Sequence, residues 1–105
     1  MGYFEIMLYE IHKPVSKMLD EYMIRVLLVL AREDKIPVSI IVERAKSSPN
    51  AVYNALRKLI QSGLISEERE EDFPRRRLIS LTDRGRKVAE LLVEIEKVLI
   101  EDVEH

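Results

Sequence analysis

The 105-residue chain contains no cysteine, which excludes disulfides, thiolate nucleophiles and cysteine-ligated zinc. No apolar run approaches the ~18–20 residues that a membrane-spanning helix needs. The start, MGYFEIMLYEIHKP, lacks the basic segment and small-residue cleavage site of a secretory signal. These absences predict a soluble, cytoplasmic protein. The chain has only three glycines, none in a glycine-rich phosphate loop, and two histidines, His12 and His105. Neither histidine has a carboxylate or a second imidazole at ligand spacing. No catalytic residue, metal ligand, cofactor or small-molecule effector is therefore assigned, and an enzyme is the least favoured class. Side-chain amides are also scarce (Asn50, Asn54 and Gln61) beside abundant Ile, Val, Glu, Lys and Arg, a usage that resembles that of thermophile proteins.

One absence is local. The net charge is −2, yet no acid occurs between residues 44 and 66, where Arg44, Lys46, Arg57 and Lys58 all fall. Acids crowd directly afterwards in EEREED, and Arg75, Arg76 and Arg77 follow. The acid-free window coincides with the clearest helix signal in the chain. Ser48 and Pro49 are suited to the N-cap and first helical positions, and Gly63 to the position just past the end. Between them Val52, Leu56, Leu59 and Ile60, flanked by Ala51 and Ala55, form one apolar face. The other face carries Pro49, Asn50, Tyr53, Asn54, Arg57, Lys58 and Gln61.

The remaining pattern places this helix in a recognisable order. Residues 3–12 fit either a helical stripe (Phe4, Met7, Leu8, Ile11) or strand alternation, and helix is preferred. Val15 to Asp34 reads as one helix with Leu19, Met23, Val26, Leu27 and Leu30 as its stripe. Pro37 marks a short extended connection, and Ser39 is placed as the N-cap of a short helix, IIVERAK. A tight turn at Ser47–Ser48 then makes a helix-turn-helix. Two aliphatic runs, around Leu64–Ile65 and Leu78–Leu81, flank a charged, Pro-containing centre, as in a hairpin with Ile79 and Leu81 inward. Thr82 caps a final helix whose stripe (Val88, Leu91, Leu92, Ile95, Val98, Leu99, Val103) is long for so small a domain. Gly85 lets that helix start close to the hairpin. The expected fold is mainly α with a small β-hairpin: a winged helix-turn-helix with N- and C-terminal helices for dimerisation. It forms one domain over residues 1–105, with an arm at 1–14, a core at 15–82 containing the wing at 64–81, and a C-terminal helix at 83–105.

AVYNALRKLIQSGLI followed by PRRRLISLTDRG resembles the winged-helix regulators of the MarR and PadR type, including their archaeal relatives. The shared features are the Val-Tyr helix ending in Leu-x-x-x-Gly-Leu-Ile, the arginine-bearing wing, and the Leu-Thr-x-x-Gly entry to the last helix. The resemblance covers about residues 20–100 and implies a dimeric regulator of transcription that binds double-stranded DNA. It maps DNA contact onto Ser48, Asn50, Tyr53, Asn54 and Arg57. Counting back from Leu81–Thr82 places Arg75 where the family's wing arginine enters the minor groove. The chain departs from the MarR pattern in the acidic EEREED approach and in lacking Asp-x-Arg at the wing tip.

The side-chain chemistry agrees independently. Asn suits the adenine N6/N7 edge and Arg the guanine O6/N7 edge, while Lys58, with Ser47 and Ser48 at the helix start, suits phosphate. Arg75, Arg76 and Arg77 form a second basic patch, alternatively paired with Glu67, Glu68, Glu70 and Glu71 across the hairpin. A wing positive at its tip and negative at its base is expected. The homodimer interface is expected from residues 3–12 and 88–103, which would set two recognition helices about one duplex turn apart. The alternative is a winged-helix module for protein partners, which the acidic run and acidic last helix favour and the acid-free helix opposes.

Overall fold

The structure, a computed structural model, describes residues 14–104, with side chains described to residue 101. The expected N-terminal helix at 3–12, His12, His105 and the Val103 side chain lie outside the described residues. Among the described residues there are helices α1 (Val15–Met18), α2 (Glu21–Ala31), α3 (Val38–Ala45), α4 (Pro49–Gln61) and α5 (Asp83–Glu104). The strands are β1 (Lys35–Pro37), β2 (Ile65–Arg69) and β3 (Arg77–Leu81). No described helix is long and apolar enough to cross a membrane.

The single helix expected from Val15 to Asp34 is two. Leu19 and Asp20 are extended, and the Asp20 carboxylate accepts from the Met23 amide at 2.9 Å. An aspartate that can satisfy an orphan amide favours a new N-terminus over helix continuation. The stripe itself is as expected, with Met23, Val26, Leu27 and Leu30 buried.

The connection at Lys35–Pro37 is more than extended chain. It pairs antiparallel with β3, Ile36 opposite Ile79, so the hairpin becomes a three-stranded sheet in the order β1-β3-β2. β1 is an edge strand, where proline's missing N–H costs no ladder bond. This pairing also displaces the expected cap: α3 starts at Val38 after Pro37, with no side-chain cap, and Ser39 is already helical. Val38 and Ile41 are buried, so an earlier start places both on the core face.

α4 begins and ends as its residues predict. Ser48 Oγ accepts from the Ala51 amide at 3.2 Å, and Pro49 occupies the first turn. At the other end Gly63 adopts φ +72°, the Leu64 amide reaches Leu59 O at 3.0 Å and the Gly63 amide reaches Ile60 O at 3.0 Å. This pair of bonds is the Schellman arrangement, which only a residue tolerant of positive φ permits cheaply. The buried face is Val52, Ala55, Leu56 and Leu59; Ile60, expected among them, is 41% exposed because it lies one step round the helix from Leu59.

The hairpin register places Ile65 opposite Leu81 and Glu67 opposite Ile79. Ile79 is fully buried as expected, and the Ser66 and Ser80 hydroxyls meet at 3.1 Å on the outer face. Thr82 then joins three elements. Its amide donates to Leu64 O at 3.1 Å, its hydroxyl donates to Gly63 O at 2.7 Å, and its Oγ1 accepts from the Gly85 amide at 3.0 Å. The end of α4, the base of the wing and the start of α5 are thereby fixed to one another.

The long apolar stripe of α5 divides between two surroundings. Ala89 is fully buried, and Val88 and Leu92 pack against the core. Leu91, Ile95, Val98 and Leu99 are between 54% and 65% exposed. Their spacing (i, i+4, i+7, i+8) makes a single outward ridge along the helix.

Candidate nucleic-acid interface

The polar face of α4 is assembled by the packing of its other face. Because Val52, Ala55, Leu56 and Leu59 are buried, Pro49, Asn50, Tyr53, Asn54, Arg57, Lys58 and Gln61 are all presented to solvent. Tyr53 is 45% exposed. Among the described residues, the side chains of Asn50, Asn54 and Arg57 make no hydrogen bond or ion pair within the chain. Their donors and acceptors are available to an external partner.

Lys58 and Ser47 are placed differently. The Lys58 ammonium donates to Asp20 at 2.8 Å, tying the last turn of α4 to the N-cap of α2. Burial raises the Asp20 pKa, but the Lys58 and Met23 hydrogen bonds outweigh it, so the carboxyl sits below its ordinary value. Ser47 Oγ accepts from Arg25 Nη1 at 3.0 Å and donates to Ala45 O at 3.1 Å. It therefore serves the α3–α4 turn rather than facing outward beside Ser48, which is exposed.

Arg25 is the residue that sequence reasoning missed. The same Nη1 points at the carbonyls of Ala45 (3.4 Å) and Lys46 (3.3 Å), where Lys46 takes a left-handed φ of 51° to end α3. Its Nη2 pairs with Glu21 at 2.5 Å, and its guanidinium lies 5.7 Å from the Tyr22 ring centroid. One cation thus satisfies the C-terminal carbonyls of α3 and holds the turn that aims α4. The available signal was a lone charge inside the otherwise apolar stretch MIRVLLVL.

The wing carries the second group of candidates. Arg76 Nε donates to Glu70 Oε1 at 2.5 Å, Nη2 to Oε2 at 3.3 Å, and the Arg76 amide to Oε1 at 3.1 Å. Arg77 Nη2 donates to Glu67 Oε1 at 2.5 Å. These arginine hydrogen bonds hold both carboxyls below the usual glutamate range. Arg75 is different: it takes a left-handed φ of 58°, its carbonyl accepts from Arg69 Nη1 at 3.1 Å, and no described carboxylate lies within ion-pair distance.

The expected separation into a positive tip and a negative base is not what the hairpin shows. The strands end at Arg69 and resume at Arg77, so Glu70, Glu71 and Asp72 share the tip with Arg75 and Arg76. Phe73, at 93% exposure, sits among them. The two charge types meet there because the directly opposed pair Glu70–Arg76 and the diagonal pair Glu67–Arg77 fold the acidic and basic runs onto each other.

This geometry has close counterparts. The model of the ArnR1-like winged-helix domain matches residues 15–99. No curated protein sequence matches the chain. Among solved structures, a variant of ZitR from Lactococcus lactis is 34% identical with a TM-score of 0.71, covering 82% of this chain and 59% of that one. The chain therefore spans less than two-thirds of that relative. A second ZitR variant is 30% identical with a TM-score of 0.70, covering 96% of this chain and 76% of that one. A MarR-family transcriptional regulator from Silicibacter pomeroyi shares the fold at 22% identity and a TM-score of 0.76, over 97% of this chain and 75% of that one. BpsR of Bordetella bronchiseptica, whose DNA binding is regulated by 6-hydroxynicotinic acid, shares it at 17% identity and a TM-score of 0.73, over 94% and 74% of the two chains. The chain belongs to the ArnR1-like winged-helix family and has the MarR-type fold of transcription regulators.

Proposed function

We propose that the protein is a sequence-specific, double-stranded DNA-binding regulator of transcription that acts as a homodimer. α4 would enter the major groove, with the wing at the minor groove or backbone. The observation that carries this reading is the unengaged Asn50, Asn54 and Arg57 on an acid-free helix face. A helix of this kind fits the major groove, and these residue types match adenine and guanine edges. Ser48, Pro49 and Tyr53 border the same face, and Ser48 sits at the helix N-terminus, where amides favour a phosphate. Arg75 is the wing cation best placed to approach the minor groove, because it lies beyond the strands at the tip and its guanidinium has no acidic partner among the described residues.

The dimer follows from the ridge of Leu91, Ile95, Val98 and Leu99. So much aliphatic surface on one helix favours a self-complementary interface about a two-fold axis. Two copies of α4 would then read half-sites about 34–36 Å apart, so the operator is expected to be roughly palindromic. A second reading, a docking module for a protein partner, has one specific observation in its favour: Phe73 beside Glu71 and Asp72 at the wing tip.

Replacement of Arg57 tests the first reading. Each bidentate arginine–guanine contact discriminates by about 1–3 kcal/mol, so Arg57→Ala is expected to weaken operator binding roughly tenfold or more per half-site. The slope of log K against log[salt] should become shallower by about one for each lost phosphate-proximal charge. Fluorescence anisotropy over a salt series measures both. Unchanged affinity in this variant would remove Arg57 from the interface.

A further inference from the structure

We propose that Glu67 and Glu70 are specificity-determining residues. They hold Arg77 and Arg76 away from phosphates, so that binding depends on α4 rather than on the charge of the wing. This inference rests on the DNA-binding reading above. Binding to DNA of any sequence scales with the number of phosphates a protein neutralises, each contributing about 0.9 to the salt slope. The cations carried by α4 and by the wing are Arg57 and Lys58, and Arg69, Arg75, Arg76 and Arg77. Three of these six already have a carboxylate of their own chain: Lys58 has Asp20, Arg76 has Glu70 and Arg77 has Glu67.

The geometry at Arg76 explains why the pairing withholds the cation. Glu70 occupies two edge donors of the guanidinium, Nε and Nη2, which form one fork that a phosphate would need. The Arg76 amide adds a third bond to the same carboxylate, so the acid is anchored to the backbone and does not swing away with the side chain. Glu67 holds Arg77 on the inner face of the hairpin, the face that carries the buried Ile65 and Ile79. A phosphate approaching either arginine meets a fixed negative charge. Both carboxyls lie below the ordinary glutamate range and stay ionised at neutral pH. Glu68 provides an internal control. It belongs to the same acidic run but pairs with Lys35 on β1, on the face of the sheet opposite Glu67 and Arg77, and touches neither Arg76 nor Arg77.

The test compares the full chain with Glu67→Gln/Glu70→Gln and with Glu68→Gln, each titrated against a random-sequence duplex and a selected operator duplex over a salt series. The double variant is expected to bind the random duplex about tenfold more tightly near physiological salt, with a slope steeper by about one to two per protomer. Its preference for the operator should fall accordingly. Glu68→Gln should keep the wild-type slope. The single variant Glu70→Gln, which leaves Glu67–Arg77 and the hairpin bonds in place, should carry about half of the change. An unchanged slope in the double variant, with wild type still binding duplex, overturns this inference alone. An equal gain in Glu68→Gln also overturns it, because net charge would then be the cause. Failure of wild type to bind either duplex at low salt overturns this inference together with the DNA-binding reading.

Discussion

Gly85→Ala should destabilise the fold by about 2–4 kcal/mol, lowering the melting temperature by roughly 10–25 °C. A Cβ at this position would lie inside the Leu64 carbonyl, 2.7 Å from its carbon and 3.2 Å from the Leu64 Cα. The obstruction is backbone, so no rotamer change relieves it. Leu64 is held by its own amide on Leu59 O and by the Thr82 amide on its carbonyl. Alanine's helix propensity, about 1 kcal/mol better than glycine's, opposes the effect without overcoming it. Either α5 lifts from the wing base or the Gly63–Thr82–Gly85 connections break. With total stabilities of about 5–15 kcal/mol for such domains, a loss of this size is a large fraction. Urea denaturation followed by circular dichroism measures it. A variant as stable as the parent would mean that α5 does not pack against the hairpin as described.

Charge on the α5 ridge should have an equally large effect on function while leaving the domain folded. Ile95 and Leu99 are 54% and 60% exposed in the single chain, so glutamates there contact water in the monomer. In the proposed dimer they would bury unpaired like charges opposite one another, which costs several kcal/mol per pair. Ile95→Glu/Leu99→Glu is expected to be monomeric by sedimentation at micromolar concentration. Its affinity for a palindromic duplex should fall about 100-fold or more, since linkage of two half-site modules typically contributes 10²–10⁴. Its thermal unfolding as an isolated domain should still be cooperative, because Ala89, Val88 and Leu92 hold the start of α5 to the core. A double variant that remains dimeric would place the interface elsewhere.

Gly85 and the ends of α4 show what a sequence conveys, and the starts of α2 and β1 what it leaves open. The glycine's role was legible because few glycines occur and this one follows a capping threonine at helix spacing. The Ser48–Pro49 start and Gly63 end of α4 were legible for the same reason: caps are local, and their residue types are restricted by backbone geometry. The break at Leu19–Asp20 was hidden by an apolar stripe that continues in phase across it. The edge strand at Lys35–Pro37 was hidden because its pairing partner, β3, lies more than forty residues away in the chain. Long-range pairing leaves no periodicity in so short a segment.

The site divides along the same line. The exposed face of α4 follows from its period, so Asn50, Tyr53, Asn54 and Arg57 could be named from the sequence. Which cations on that surface are already engaged depended on three-dimensional neighbours. Asp20 reaches Lys58 across 38 positions of chain, and Arg25 reaches Ser47 across 22. Charge counted along the chain therefore overstates the positive potential available to a nucleic acid. The difference matters for function, because exposed and unpaired cations set both affinity and salt dependence.

Selection of bound duplexes from a random library by the wild-type protein tests the DNA reading and two-fold symmetry together. A roughly palindromic sequence should be enriched, its half-sites about 10–10.5 base pairs apart, centre to centre, or a multiple of that. Each half-site should contain a guanine whose replacement is tolerated better by Arg57→Ala than by wild type. No enrichment, together with no duplex binding at low salt, would contradict the DNA reading.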